Sequence, residues 1–323
     1  MGFLRRLFNA RSESESAQSR SALPESEASA AAEQEPSSAN FATTKLSPEQ
    51  LEPTRKDLSS HVPFVAPPSK HLAYGVNSHK GMVRPNNQDA SFALLSAQQG
   101  AQTLPDFGLF VVADGMGGHE NGARASATAV RTVSQYVLQN FYLKRLAEAE
   151  QGDAYIGEIL TAALEKANET VARETPEGGT TVTVAVVHGH LAYLAHVGDS
   201  RAYYITQDGI VQLTKDHSLV QRLIDLDHLT PDEAAVHPQR NVLYRAIGQN
   251  ESLEVDSFMK PLENGARLLL CSDGLWNTVD EERIRQVVSS AATPQAACDQ
   301  LVELANEKGG SDNITVILIQ LPG

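Results

Sequence analysis

Two apolar runs that each stop at Asp-Gly constrain this chain most. One is Phe107-Gly-Leu-Phe-Val-Val-Ala113, followed by Asp114-Gly115; the other is Leu268-Leu-Leu-Cys271, followed by Ser272-Asp273-Gly274. Short uninterrupted apolar runs bounded by turn residues predict buried strands. Such a strand delivers its terminal carboxylate to a sheet end, where the scaffold fixes it. The glycine that follows lets backbone or ligand approach closely. Three more aspartates stand in similar settings: Asp199 in Val197-Gly-Asp-Ser-Arg201, Asp312 in Gly309-Gly-Ser-Asp-Asn313, and Asp89 in Arg84-Pro-Asn-Asn-Gln-Asp89. Any single Asp-Gly is explained as an ordinary turn. As a set, these aspartates suit hard divalent cations, which take oxygen ligands and in pairs bind phosphate while activating water.

The remaining periodicity surrounds these carboxylates with alternating structure. Period-two or apolar segments predict strands at Leu72–Val76, Asp89–Leu95, Thr181–Val187, Leu191–Ala195, Arg201–Ile205, Leu253–Met259, Arg267–Ser272 and Ile314–Leu321. Ala123, Ala127, Val130, Val133, Val137 and Phe141 recur at helical spacing, as do Ile156, Leu160, Ala163, Ala167 and Val171. Further helices are expected after Asp216-His-Ser218, after the capped start Thr230-Pro-Asp-Glu233, and over Glu281–Ser290 and Pro294–Lys308. Strands in antiparallel runs with helices grouped between them predict an α+β layered sandwich. His188-Gly-His190 reads as a hairpin turn with both histidines exposed, and Trp276 as a packing residue.

Composition divides the chain. Between Arg11 and Asn40, Ser, Ala and Glu fill 22 of 30 positions. Such a stretch has little to bury against the entropy of ordering. Residues 1–69 are therefore expected to be a disordered tail closed by a linker with Pro63, Pro67 and Pro68, and residues 70–322 a single domain. The tail reads as a spacer, with a regulatory or docking role for its serines as the alternative. Gly2 invites lipidation, but Arg6 stands where Ser or Thr is wanted.

A net charge of −14 argues against nucleic acid or an anionic membrane as the main partner. Two cysteines build neither a disulfide framework nor a zinc cluster, and a cytoplasmic location is expected. No apolar stretch is long enough to span a bilayer. Rival phosphoryl chemistries lack their motifs. There is no P-loop, no kinase His-Arg-Asp set, and no Cys with Arg six residues on.

In order along the chain, Arg84-Pro-Asn-Asn-Gln-Asp89, Val111-Val-Ala-Asp-Gly-Met-Gly-Gly-His119, Gly178-Gly-Thr-Thr181, Val197-Gly-Asp-Ser-Arg201, Thr214-Lys-Asp-His-Ser218, Cys271-Ser-Asp-Gly274 and Gly310-Ser-Asp-Asn313 resemble the metal-dependent protein phosphatases, protein phosphatase type 2C. The resemblance covers about Leu72 to Leu321, and Asp114-Gly-Met-Gly-Gly-His119 points to the bacterial branch. It implies a four-layer αββα sandwich of two antiparallel sheets flanked by helices, with a flap at about 215–248. It also implies two Mn²⁺ or Mg²⁺ ions per chain and a weaker third, and hydrolysis of phosphoserine and phosphothreonine by water shared between the metals.

By position, the resemblance makes Asp114 the bridging ligand. It gives the Gly115 carbonyl to one metal, Asp273 and Asp312 to the other, Asp199 to the third, and Asp89 to metal-bound waters. Arg84 would grip the substrate phosphate. Met116 stands where some relatives have a general-acid His, so His119 is the candidate donor to the leaving group, with a structural role as the alternative. Gln88 replaces a Glu. The implied partners are phosphorylated proteins, among them a cognate serine/threonine kinase, and the chain is expected to be a monomer. A catalytically silent binding or scaffold module on the same fold is the rival. An anti-sigma-factor antagonist or a small phosphate ester stays open as substrate.

Overall fold

The computed structural model describes residues 71–98, 105–147 and 155–323. The expected tail and linker, residues 1–69, lie outside them. Two antiparallel sheets form the centre. The first takes the order β1 (Ala73–His79), β11 (Ile314–Gln320), β10 (Arg267–Cys271), β7 (Arg201–Ile205), β8 (Ile210–Gln212). The second runs β2 (Asp89–Ser96), β3 (Phe107–Met116), β5 (Val182–His188), β6 (Leu191–Val197), β9 (Asp256–Pro261), with the short β4 (Gly179–Thr180) pairing with the end of β3.

Side-chain alternation decides the layers. Along β3, Leu109, Val111 and Ala113 face α1 (His119–Val137) and α3 (Ile156–Glu174). Phe110 and Val112 point the other way, into the space between the sheets, where they share a core with Leu268, Leu270, Ile317 and Ile319. The outer face of the first sheet, with Leu269, Cys271, Val316 and Leu318, packs on α7 (Glu281–Ser290) and α8 (Pro294–Glu307). Both faces of each central strand are dry, so the runs read as continuously apolar. Each fully buried Leu or Phe there contributes about 1.5–3 kcal/mol. The expected αββα sandwich is the observed one.

α1 passes into a π-helical turn, Leu138–Tyr142, and a short α2 (Leu143–Ala147). The two helices expected in the flap are α4 (Leu219–Asp225), capped by Ser218, and α5 (Pro231–Ala235), opened by a capping box between Thr230 and Glu233. α6 (Asp273–Trp276) is one turn long. Among the described residues, no helix is long and apolar enough to cross a membrane.

Three local expectations change, and two short strands are added to those expected. β3 does not stop at Ala113 but continues through Asp114 to Met116, because β4 supplies a partner: Gly115 pairs with Thr180 and Met116 with Gly179. β9 begins at Asp256, not Leu253. Leu253 and Val255 pack on the helical core instead, and pairing with β6 starts at Asp256 opposite His196. His188 is buried rather than exposed, since it still pairs with Phe107 across β3 and sets its ring against Phe141. β4 and β8, of two and three residues, are too short to leave a periodicity.

Candidate active site

The two sheets deliver their carboxylates to the same end. On the second sheet, Asp114 of β3 lies directly opposite Asp89 of β2 in the ladder. The Asp114 backbone is clamped on both sides: its N–H donates to Thr181 Oγ1 at 2.9 Å, and its carbonyl accepts Thr181 N–H at 2.9 Å and the Thr180 hydroxyl at 2.8 Å. Asp199 follows β6 in the turn before β7. On the first sheet, Asp273 opens α6 directly after β10, and Asp312 precedes β11. Asp114, Asp199, Asp273 and Asp312 line one cleft of about 210 Å³, together with Arg84, Gln88, Gly115, Met116 and Asn313.

Three hydrogen bonds sew the sheets together beneath this cleft. Ser272 Oγ donates to Asp89 Oδ2 at 2.8 Å, Gln88 N–H to Asn313 Oδ1 at 2.8 Å, and Trp276 Nε1 to the Asp199 carbonyl at 3.0 Å. The Asn313 amide also donates to the Lys80 and Asn86 carbonyls, at 2.8 and 2.9 Å, which pins the loop carrying Arg84. From the flap, Asn241 and Leu243 reach the cleft; Ser218 bridges Leu243 across the base of this segment.

Electrostatically the cleft is strained. Burial holds the Asp114 and Asp199 carboxyls well above the ordinary range, reinforced by Asp89 and Asp273 around the first and by Asp273 and Asp216 around the second. Burial raises Asp89 to about 7, against hydrogen bonds from Thr315 and Ser272. Asp273 rises to about 6, through burial and then Asp312, with Arg84 and Asn277 pulling back. So many buried carboxyls without compensating charge are costly.

Their donor set fits hard cations. Asp89 Oδ1 and Asp273 Oδ1 are buried and accept no hydrogen bond. Gly115 has no room for a side chain: a Cβ would stand 2.2 Å from the Gly122 carbonyl oxygen. Among the described residues, no three His, Cys, Asp or Glu side chains already close a cage. Carboxylates spread around a shared cleft suit ions such as Mg²⁺ that keep several waters among their ligands.

Every predicted site residue except His119 has a described side chain. Arg84 lines the cleft and makes a 2.6 Å ion pair to Asp312 Oδ2. Asp89 sits just behind it. His119 is the first residue of α1, five positions past Asp114; its side chain lies outside the described residues. His217, expected near the flap, is buried against the Gly198–Asp199 turn, accepting Gly198 N–H at Nδ1 over 3.0 Å. Trp276 packs as expected, with the Arg201 guanidinium 3.6 Å above its ring. Both cysteines are free and buried, their thiols pushed up to about 12 by desolvation, which keeps them out of the chemistry. Thr180, Thr181, Ser272 and Asn313 anchor the site from within the motifs quoted above, a role that shows only once the strands are paired. Asn241 and Leu243 carried no local signal.

The comparisons with known proteins agree with this geometry. Residues 83–306 match the family described as Protein phosphatase 2C. The chain is 36% identical over 218 residues to the serine/threonine phosphatase Stp of Listeria innocua, covering 66% of this chain and 84% of that protein. Its fold matches the Streptococcus agalactiae serine/threonine phosphatase with a TM-score of 0.67 at 32% identity, over 78% of this chain and 100% of that one. It also matches the catalytic domain of the serine/threonine protein phosphatase PstP in complex with two manganese ions, with a TM-score of 0.63 at 30% identity, over 78% and 99%. The chain belongs to the protein phosphatase 2C family, the metal-dependent serine/threonine protein phosphatases.

Proposed function

We propose that residues 70–322 form a phosphatase domain whose cleft removes phosphate from phosphoserine and phosphothreonine in proteins. The observation that carries this is the convergence of Asp114, Asp199, Asp273 and Asp312, from four segments and both sheets, on one cleft beside Arg84. Asp114, Asp273, Asp312 and the Gly115 carbonyl would hold two divalent cations, Mn²⁺ or Mg²⁺, with Asp199 serving a weaker third. When bound, these ions supply Lewis-acid activation of water and neutralise charge on the phosphoryl group.

The chain's own residues do the rest. Asp89, behind Asp114, would hold metal-bound waters by accepting their hydrogen bonds at its unpaired Oδ1. Arg84 would bind two phosphate oxygens with its planar fork, exchanging its partner Asp312 for substrate as cations take over that carboxylate. The flap's Asn241 and Leu243 would touch residues flanking the phosphorylated one. His119, at the start of α1, is the proposed proton donor to the leaving alkoxide. A cytoplasmic, monomeric enzyme that opposes a serine/threonine kinase is the setting that suits this chemistry.

The test is release of phosphate from a phosphothreonine peptide by the full chain, with Mn²⁺, with Mg²⁺ and with EDTA. Metal-dependent turnover, lost in EDTA and in Asp273→Asn, is expected. Tight Mn²⁺ binding by a folded protein that cleaves no phosphopeptide or phosphoprotein would favour the silent scaffold instead.

A further inference from the structure

Asp199 is the one cleft aspartate whose support comes from a pair of buried histidines. Gly198, the residue before it, has φ of +115°, and a Cβ there would stand 2.6 Å from the Thr181 side chain. Both polar groups of Gly198 are engaged from within the protein. Its carbonyl lies 3.0 Å from His196 Nε2 and 2.7 Å from the backbone N–H of His217. Its N–H points at His217 Nδ1 over 3.0 Å. The two rings lie 4.9 Å apart, and both are buried.

Hydrogen-bond logic fixes both tautomers. A carbonyl only accepts, so His196 carries its proton on Nε2, and its bare Nδ1 faces Thr183 Oγ1 at 2.9 Å, a hydroxyl that also has the Ser200 carbonyl at 3.0 Å. A backbone N–H only donates, so His217 Nδ1 is bare and its proton is on Nε2, donated to Asp256 Oδ2 at 3.2 Å. Arg245 Nη1 lies 3.0 Å from that same Nε2, donor facing donor, and one of its two protons goes to Asp256 Oδ1 at 2.8 Å. One ring therefore donates to Gly198 and the other accepts from it. On the far side of Asp199, Trp276 Nε1 holds the Asp199 carbonyl, and Arg201 stacks on that indole while gripping Asp216, the residue before His217.

We propose that His217, with His196 behind it, is a positioning residue: it touches neither substrate nor the reacting atoms, but sets the Gly198–Asp199 turn and so aims the Asp199 carboxylate into the cleft. The proposal rests on the assignment of Asp199 to a weakly held cation. Gly198, whose φ of +115° L side chains rarely adopt, is thereby held by two oppositely polarised imidazoles, which leaves the carboxylate little freedom to swing away.

The experiment is Mn²⁺ binding to the full chain by titration calorimetry, with turnover measured alongside. His217→Asn keeps an acceptor at the Nδ1 position. His217→Gln reaches only the Nε2 position and leaves Gly198 N–H unpaired. In His217→Gln the weakest class of Mn²⁺ site is expected to weaken about tenfold or more, as removing an outer partner of a metal ligand does. In His217→Asn it is expected to stay within about threefold of the native chain on the same scale. The tighter sites are expected to be unchanged in both. Trp276→Phe, which deletes the bond to the Asp199 carbonyl and leaves a smaller ring beneath Arg201, should weaken the same class by a smaller factor and guards against misfolding of a His217 variant. Equal losses in the Gln and Asn variants, or a weak class untouched in Trp276→Phe and in whichever His217 variant folds, would overturn the proposal. If Asp199→Asn binds Mn²⁺ as the native chain does, the assignment of Asp199 fails, and if the native chain binds none, the metal-dependent reading of the cleft fails; either result overturns the proposal with it.

Discussion

The two Asp-Gly steps begin alike in sequence and end in different local structures. Asp114 stays within a strand: β4 pairs beyond it, and Thr180 and Thr181 hold its peptide. Asp273 leaves the sheet at once and opens a one-turn helix. Each glycine is walled by backbone. A Cβ would stand 2.2 Å from the Gly122 carbonyl oxygen at Gly115 and 2.0 Å from that of Asn313 at Gly274. Their electrostatic settings differ too. Asp114 faces Asp89 across the ladder, whereas Asp273 has the Asn277 amide at 3.2 Å and the positive charge of Arg84 nearby. Burial raises both. One motif thus serves the two halves of a cleft through two different local structures.

The sharpest way to break this comparison is to neutralise each half in turn. Asp114→Asn and Asp273→Asn are each expected to lower kcat with Mn²⁺ by about 10³-fold, the scale on which losing a preorganised charge-stabilising group is felt. Steady-state phosphopeptide hydrolysis measures it. An effect confined to one of them would mean that the halves do not share a reaction.

Arg84 tests the electrostatic difference. Removing a charge-assisted phosphate contact in Arg84→Ala should cut kcat/KM about 10–100-fold, with Arg84→Lys recovering part of it. If Arg84→Lys equals Arg84→Ala, a point charge is of no use there and the fork geometry is what matters.

Stability tests the shared part. Gly115→Ala and Gly274→Ala should each destabilise by about 1–3 kcal/mol, because backbone rather than a movable side chain blocks the methyl group. Gly118→Ala, where a Cβ meets nothing within 4 Å and φ is −54°, should leave the denaturant midpoint unchanged.

The smallest effect is in pH. In metal-free protein Asp89 titrates at about 7 when folded, against 3.8 as the ordinary value. The native state therefore keeps a proton that the unfolded chain has released. That contribution is full below 3.8 and is lost as pH rises through 7. From Asp89 alone EDTA-treated protein should lose about 1 kcal/mol between pH 6.5 and 8, with Asp114 and Asp199 adding loss of the same sign, read from denaturant midpoints. Mn²⁺ should reduce the difference, and without metal Asp89→Asn should shrink it but not abolish it. His196, whose pKa burial depresses to about 3, acts oppositely but below 6.5, outside this window.

Much of this was legible beforehand because it is local. The dry runs of β3, β10 and β11 announce strands buried on both faces. The helical spacing from Ala123 onward announces α1, and Thr230-Pro-Asp-Glu233 announces the start of α5 as a hydrogen-bonding pattern within four residues. His188 hides its burial for the same reason: next to Gly189 it has a turn's neighbours, and only Phe107 and Phe141, far off in sequence, bury it. The tautomers of His196 and His217 were equally out of reach, being set by Gly198, Thr183 and Asp256.

Strand periods, the glycines after Asp114 and Asp273 and the chemical type of the donors are written locally in the chain, since each depends on residues a few positions apart. That Asp114, Asp199, Asp273 and Asp312 meet depends on the whole fold. That requires two sheets stacked with the same ends together and joined by Ser272 to Asp89, Gln88 to Asn313 and Trp276 to Asp199, contacts spanning 183, 225 and 77 residues. Burial of carboxylates follows from that stacking alone, and with it the demand for cations that makes the cleft reactive.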